Sequence, residues 1–99
     1  MKFDKVIQGL QEGKNYTREY AWSNKVITLQ IPADIPTNII PDMTSLNNNM
    51  KHILTNVGDK QIHYRNQVLI VDVSDYSNNI ATYYMPTWED IFADDWIEV

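Results

Sequence analysis

The sequence predicts an α+β fold, a small antiparallel sheet with an N-terminal helix and a short middle helix. Three observations carry this reading. Phe3, Val6, Ile7 and Leu10 recur at helical spacing and meet a stop at Gly13. Several later segments are short, rich in β-branched and apolar residues, and bounded by Asn, Ser or Pro. The last dozen positions hold Trp88, Ile91, Phe92, Trp96 and Ile97, where most chains fray into small polar residues. So much apolar area stabilises a fold only when the tail is docked.

Taken in order, residues 2–12 read as an amphipathic helix with Phe3, Val6, Ile7 and Leu10 inward. Lys14 to Tyr20 and Lys25 to Ile31 read as two strands. In the second, Val26, Ile27, Leu29 and Ile31 alternate in part, and Ser23-Asn24 between the strands reads as a tight turn. Residues 32–48 are expected to be a long connection, because Pro32, Pro36 and Pro41 interrupt any ladder. Its Ile35, Ile39, Ile40 and Met43 point to packing against something, another subunit included. Leu46, Met50, Ile53, Leu54 and Val57 suggest a helix over 45–56, capped by Ser45 and stopped at Gly58-Asp59.

A meander follows, from Gln61 to Arg65, Val68 to Val73 and Ile80 to Met85, with turns at Asn66-Gln67 and residues 74–79. Pro86 and Thr87 open a short helical turn, with Thr87 as cap and Glu89 and Asp90 suited to the positive end of the helix dipole. Asp95 to Val99 completes the sheet as an edge strand. The 99 residues are expected to form a single domain, with 32–60 as a variable loop and helix.

Composition narrows the function classes. Hydrophobic residues make up 43% of the chain, enough for a modest core and too much for disorder. A core this small favours association with further copies. With no cysteine, disulfides, thiol nucleophiles and cysteine-ligated metals are ruled out. No apolar run approaches the roughly 20 residues of a membrane span, and Met1-Lys2-Phe3-Asp4 does not begin a signal peptide. The expectation is a soluble, cytoplasmic protein with no membrane partner. Eight Lys and Arg against thirteen Asp and Glu give a net charge of −5, which repels a nucleic-acid backbone. A small anionic ligand remains accessible to a local cation, and the only arginines are Arg18 and Arg65.

Catalytic patterns are missing. His52 and His63 fall on different predicted elements without HExxH-type spacing, so ordinary structural or surface histidines are expected rather than a metal site. Asp90, Asp94 and Asp95 are paired acids in principle, although acids beside a helix start and an edge strand usually cap or face water. No G-x-S-x-G elbow or phosphate-cradling glycine loop occurs among three glycines. The chain is therefore expected not to be an enzyme and to carry neither metal nor cofactor.

The remaining chemistry is aromatic and polar. Along an extended segment, alternation places Tyr16, Arg18, Tyr20 and Trp22 on one face. A guanidinium flanked by rings suits a stacked base and a paired phosphate, with Tyr83 and Tyr84 adding to it. The same rings suit a core, with Arg18 as a surface cation, and the residues alone favour that reading, because pockets are few and every fold has a core.

Two ends of the chain carry a family resemblance. Phe3 through Lys14, followed by Arg18 and Trp22, resembles the start of the Thoeris anti-defence 2 family, a helix ending in L-x-x-G-K, then an arginine and a W-N-like turn. Ala93-Asp94-Asp95-Trp96 resembles its closing A-E-D-W, and Pro86 through Ile91 its P-S-Q-T-D-L. The resemblance spans roughly residues 3–30 and 68–98 and assigns no counterpart to 32–60. It implies a phage or prophage protein that binds cyclic ADP-ribose-type immune signals without degrading them, so that the effector of a TIR-domain enzyme stays silent. It further implies a homo-oligomer, similar to a tetramer, with pockets at subunit interfaces and cyclic dinucleotides as a further ligand class.

Residue by residue, the resemblance implies Arg18, Trp22, Asn24, Tyr84 and Asp90 as ligand-binding residues, and the alternating face adds Tyr16 and Tyr20 to the expected set. Ser23 intervenes in the W-N turn, Tyr84 stands where tryptophan is usual, and Glu89 replaces a threonine before Asp90. Asp94, Asp95 and Trp96 match the family while reading more simply as a docked terminal strand. On this view Arg18→Ala and Trp22→Ala weaken binding more than they lower the melting temperature. A second reading makes the protein an inhibitor of a host factor acting through the 32–48 loop.

Overall fold

The computed structural model describes all residues except 32, 37, 57–61 and 75–77, together with the side chains of Ala33 and Asn56. It is α+β, as the sequence predicts. The chain divides into two compact units, residues 1–30 with 66–99, and residues 31–65.

The first unit contains helix α1 (Phe3–Gln11), strands β1 (Tyr16–Arg18), β2 (Lys25–Gln30), β5 (Gln67–Asp72), β6 (Ala81–Tyr83) and β7 (Trp96–Glu98), and helix α3 (Trp88–Phe92). Its five strands are ordered β6-β5-β2-β1-β7, every neighbouring pair antiparallel. Pairings Tyr16↔Ile27, Ile27↔Ile70 and Leu29↔Val68 bring these side chains to one face, over which α1 lies. Val6, Leu10, Tyr16, Ile27 and Trp96 form the buried core, with Phe3, Trp22, Leu29, Val68, Ile70, Tyr84 and Ala93 packed around it.

The first helix departs from expectation at one position. Val6 and Leu10 are buried and Phe3 is packed against Trp96, whereas Ile7 is 47% exposed. Ile7 lies at the rim of the apolar stripe, because the core beneath is only wide enough for its other three members. The helix closes with a Schellman motif in which Gly13 (φ 87°) donates to the Leu10 carbonyl and Lys14 to that of Gly9. Gly9 is needed for another reason. A Cβ there would lie 1.6 Å from the Tyr16 hydroxyl oxygen, so β1 passes the helix at a distance only glycine allows.

β1 is shorter than predicted and ends at Arg18. The expected Ser23-Asn24 turn is replaced by a longer connection over 19–24, in which the Trp22 amide donates to the Arg18 carbonyl. A two-residue hairpin of type I′ requires positive φ, which neither Ser23 nor Asn24 adopts. The longer path carries the Trp22 ring edge-on against Trp96 (5.0 Å) and Tyr84 (5.8 Å). The tail docks only in part, with β7 on the sheet edge and Trp96 at 0% exposure, whereas Trp88 (71%) and Phe92 (77%) stay exposed.

The second unit contains β3 (Ala33–Ile35), a 3₁₀ turn at Ile40–Asp42, α2 (Asn48–Asn56) and β4 (Ile62–Tyr64). Two expectations are corrected here. The 32–48 segment is not merely a connection, because β3 forms a separate two-stranded sheet with β4. The three-strand meander is correspondingly reduced to the β5–β6 hairpin. β3 fits because it needs only three residues, and Pro36 follows the paired register rather than interrupting it. α2 starts after Asn47 rather than at Ser45, since the Asn47 side-chain carbonyl accepts the Met50 amide at 2.8 Å. Its expected Val57 contact and Gly58-Asp59 stop, together with part of the 74–79 turn, lie outside the described residues.

Candidate functional site

The candidate site grows from α3. Thr87 caps this helix through a reciprocal box. Its hydroxyl accepts the Asp90 amide at 3.1 Å, while Asp90 Oδ2 accepts the Thr87 amide at 3.4 Å. The box turns the Asp90 carboxylate back toward β1, where Arg18 Nη1 donates to Oδ1 at 2.9 Å. Asp90 Oδ2 also accepts the Tyr84 hydroxyl at 2.8 Å, and its main-chain carbonyl accepts Trp96 Nε1 at 2.9 Å. One residue thus ties together β1, the end of the β6 segment, α3 and β7.

Asp95 completes the cluster. Its Oδ1 accepts Arg18 Nε at 2.9 Å, and its Oδ2 accepts the Tyr20 amide at 3.1 Å. Arg18 and Asp90 are each only 7% exposed, and the guanidinium carbon lies 5.9 Å from the Trp96 ring centroid. Burial would raise the Asp90 pKa, yet the bonds from Tyr84, Arg18 and Thr87 together hold it below the ordinary carboxylate value. Asp95 is lowered in the same way, with Arg18 and the Tyr20 amide outweighing burial. Burial also opposes the Arg18 charge, but Asp95 and Asp90 raise its pKa nonetheless. Burial, reinforced by Asp90, pushes the Tyr84 hydroxyl well above its usual range. The cluster is therefore one cation between two buried anions at neutral pH, with Tyr84 as a neutral donor and the exposed Glu89 carboxylate 3.7 Å from Arg18 Nη1.

This arrangement sorts the seven expected site residues. Tyr16, Arg18, Trp22, Tyr84 and Asp90 converge in and around the core. Tyr20 does not join them. Once β1 ends at Arg18 the alternation lapses, and the Tyr20 side chain is 83% exposed. Asn24 contributes its carbonyl, which accepts the Val73 amide at 2.7 Å. The single face of Tyr16, Arg18, Tyr20 and Trp22 is thus corrected to a buried strand pair, an outward tyrosine and a core tryptophan. The ring beside the guanidinium is Trp96, and a phosphate approaching Arg18 must displace Asp90 or Asp95. Asp95 lies outside the expected set, although it directly precedes Trp96 in the strand expected to dock.

Beside the cluster lies an apolar cleft of about 320 Å³, bounded by α1 (Phe3, Ile7, Leu10, Gln11), β2 (Leu29), the start of β5 (Asn66, Gln67, Val68), Tyr84 and Pro86. Tyr84 belongs to both features. No charged side chain among the described residues lines the cleft. Among the described residues no group of acids and histidines is arranged to hold a metal. No helix among them is long and apolar enough to cross a membrane.

A comparison with known families bears on the whole chain. The model of the Thoeris anti-defense 2-like domain matches residues 1–99. The chain belongs to this family. Membership places it in defence against the Thoeris system and extends the likeness read from the two ends across residues 32–60. No curated protein matches the chain significantly.

Proposed function

We propose that this Thoeris anti-defence protein binds a cyclic nucleotide immune signal of the cyclic ADP-ribose class and holds it unchanged, so that the Thoeris effector is not activated. The observation that carries this reading is the family match over the whole chain. The source is a phage or prophage, and the site of action is the cytoplasm of the infected bacterium. Cyclic dinucleotides form a second ligand class.

The expected ligand-binding set divides by accessibility in this reading. Tyr20 and Tyr84 offer ring surface to a ligand, whereas Tyr16, Arg18, Trp22 and Asp90 hold the frame that aims Tyr84, and Asn24 ties the start of β2. A sequestering protein needs affinity without turnover, and a frame set before the ligand arrives lowers the ordering cost of binding.

The protein acts as a homo-oligomer, a tetramer as the family resemblance implies. Trp88 and Phe92 support this. They stack at 5.6 Å on the surface of α3 and stay largely exposed in one protomer. Light scattering at micromolar concentration tests it, and a monomer mass contradicts it.

The decisive experiment is isothermal titration with glyco-cyclic ADP-ribose isomers and a panel of cyclic dinucleotides, followed by heat release of the ligand. Saturable binding with the intact compound recovered is expected. A hydrolysed product, or no heat across the panel, overturns the proposal.

A further inference from the structure

We infer that the cleft between α1 and the sheet takes the uncharged nucleobase of a bound nucleotide and leaves the phosphates at its mouth. The inference deepens the proposed function and rests on it for the identity of the whole ligand. Four observations lead to it.

The first is size. A volume of about 320 Å³ is at the lower end of small-molecule sites and matches a fused two-ring heterocycle with part of its sugar. The second is charge. The protein carries −5 overall, yet among the described residues no charged side chain lines this cleft, so a neutral ring enters without desolvating a charge and a phosphate gains nothing there.

The third is a fixed aromatic wall. Tyr84 is held at its hydroxyl by Asp90 (2.8 Å) and edge-on by Trp22 (5.8 Å), while Asp90 is itself held by Arg18 and Thr87. A ring restrained at both ends loses little freedom when a base packs beside it. The buried ion-pair cluster thereby acts on the ligand through Tyr84 and makes Arg18 a positioning residue.

The fourth is the rim. Gln67 donates one side-chain N–H to the Gln30 side-chain carbonyl, which fixes its amide in place. Gln11 and Asn66 have no such bond among the described residues, and each offers one acceptor and two donor hydrogens to the edge of a base. Ile7, at the rim of the helix's apolar stripe, adds an apolar side chain to the cleft wall.

The test uses adenosine and cyclic ADP-ribose as separate probes of the intact protein. Adenosine at millimolar concentration is expected to shift the methyl resonances of Ile7, Leu29 and Val68 together. Ile7→Trp fills the cleft from its exposed side. It should abolish those shifts and weaken cyclic ADP-ribose binding by about tenfold or more, with melting near that of the wild type. Asn66→Ala, at the exposed rim, should weaken both probes by roughly three- to tenfold and serves as the decisive variant should Ile7→Trp fail to fold. Adenosine shifts absent or confined elsewhere overturn the inference, as does cyclic ADP-ribose binding at wild-type affinity to both variants. If the wild type takes adenosine in the cleft but ignores every cyclic nucleotide, the proposed function fails and the nucleobase cleft stands.

Discussion

Arg18 Nη1 donates to Asp90 Oδ1 at 2.9 Å across 72 positions of sequence, and the side chains of Arg18, Asp90 and Asp95 are each no more than 10% exposed. Removing the arginine leaves Asp90 and Asp95 facing each other in a poorly solvated space. Breaking such a pair costs roughly 3–5 kcal/mol, so Arg18→Ala should lower the melting temperature by on the order of 10 °C or more. This reverses the expectation from sequence that Arg18 matters to binding before stability. Urea titration beside ligand titration separates the two, and a stable Arg18→Ala protein that no longer binds would restore the ligand role.

The same cluster sets a pH dependence. Asp90 and Asp95 have folded pKa values below those of the unfolded chain. Their contribution is complete above the unfolded carboxylate value of about 3.9 and is lost as the pH falls through the lower folded values. Melting temperature should therefore drop steeply below about pH 4. Asp95→Asn should flatten that slope, and an unchanged slope would locate the acid sensitivity elsewhere.

Gly9 and Tyr16 form a tighter steric pair. A methyl group 1.6 Å from the Tyr16 hydroxyl cannot be accommodated without moving a buried ring, so Gly9→Ala should destabilise by about 1–3 kcal/mol or more. Adding Tyr16→Leu should recover part of that loss in a double-mutant cycle, because the large ring is the obstacle. Strict additivity of the two changes would contradict the contact.

Tyr84→Phe removes one donor from a charged acceptor and should cost roughly 1.5–3 kcal/mol. Since the hydroxyl also orients the ring, affinity for cyclic ADP-ribose should fall with it. Tyr84→Phe binding at wild-type affinity would show that the Asp90 bond serves the fold alone.

Much of the first unit was legible in local pattern. The helix with its Gly13 stop, the Thr87 cap and the docking of Trp96 each depend on residues within a turn or two of one another, or on apolar area that cannot stay wet. The link from Arg18 to Trp22 was misread for an equally physical reason. Strict alternation describes a strand only while the ladder lasts, and β1 is three residues long because Trp22 gains more from the core than from continuing it.

By itself, then, the sequence determined the α+β class, the acidic surface, the absence of cysteine chemistry and the two end motifs that mark the family. Only the tertiary structure decided that Arg18 is spent on Asp90 and Asp95, that 33–35 pairs with 62–64, and that Tyr84 joins an ion-pair cluster to an apolar cleft. Composition and spacing act over a few residues, whereas a charge chooses its partner by distance and burial, which exist only once the chain has folded.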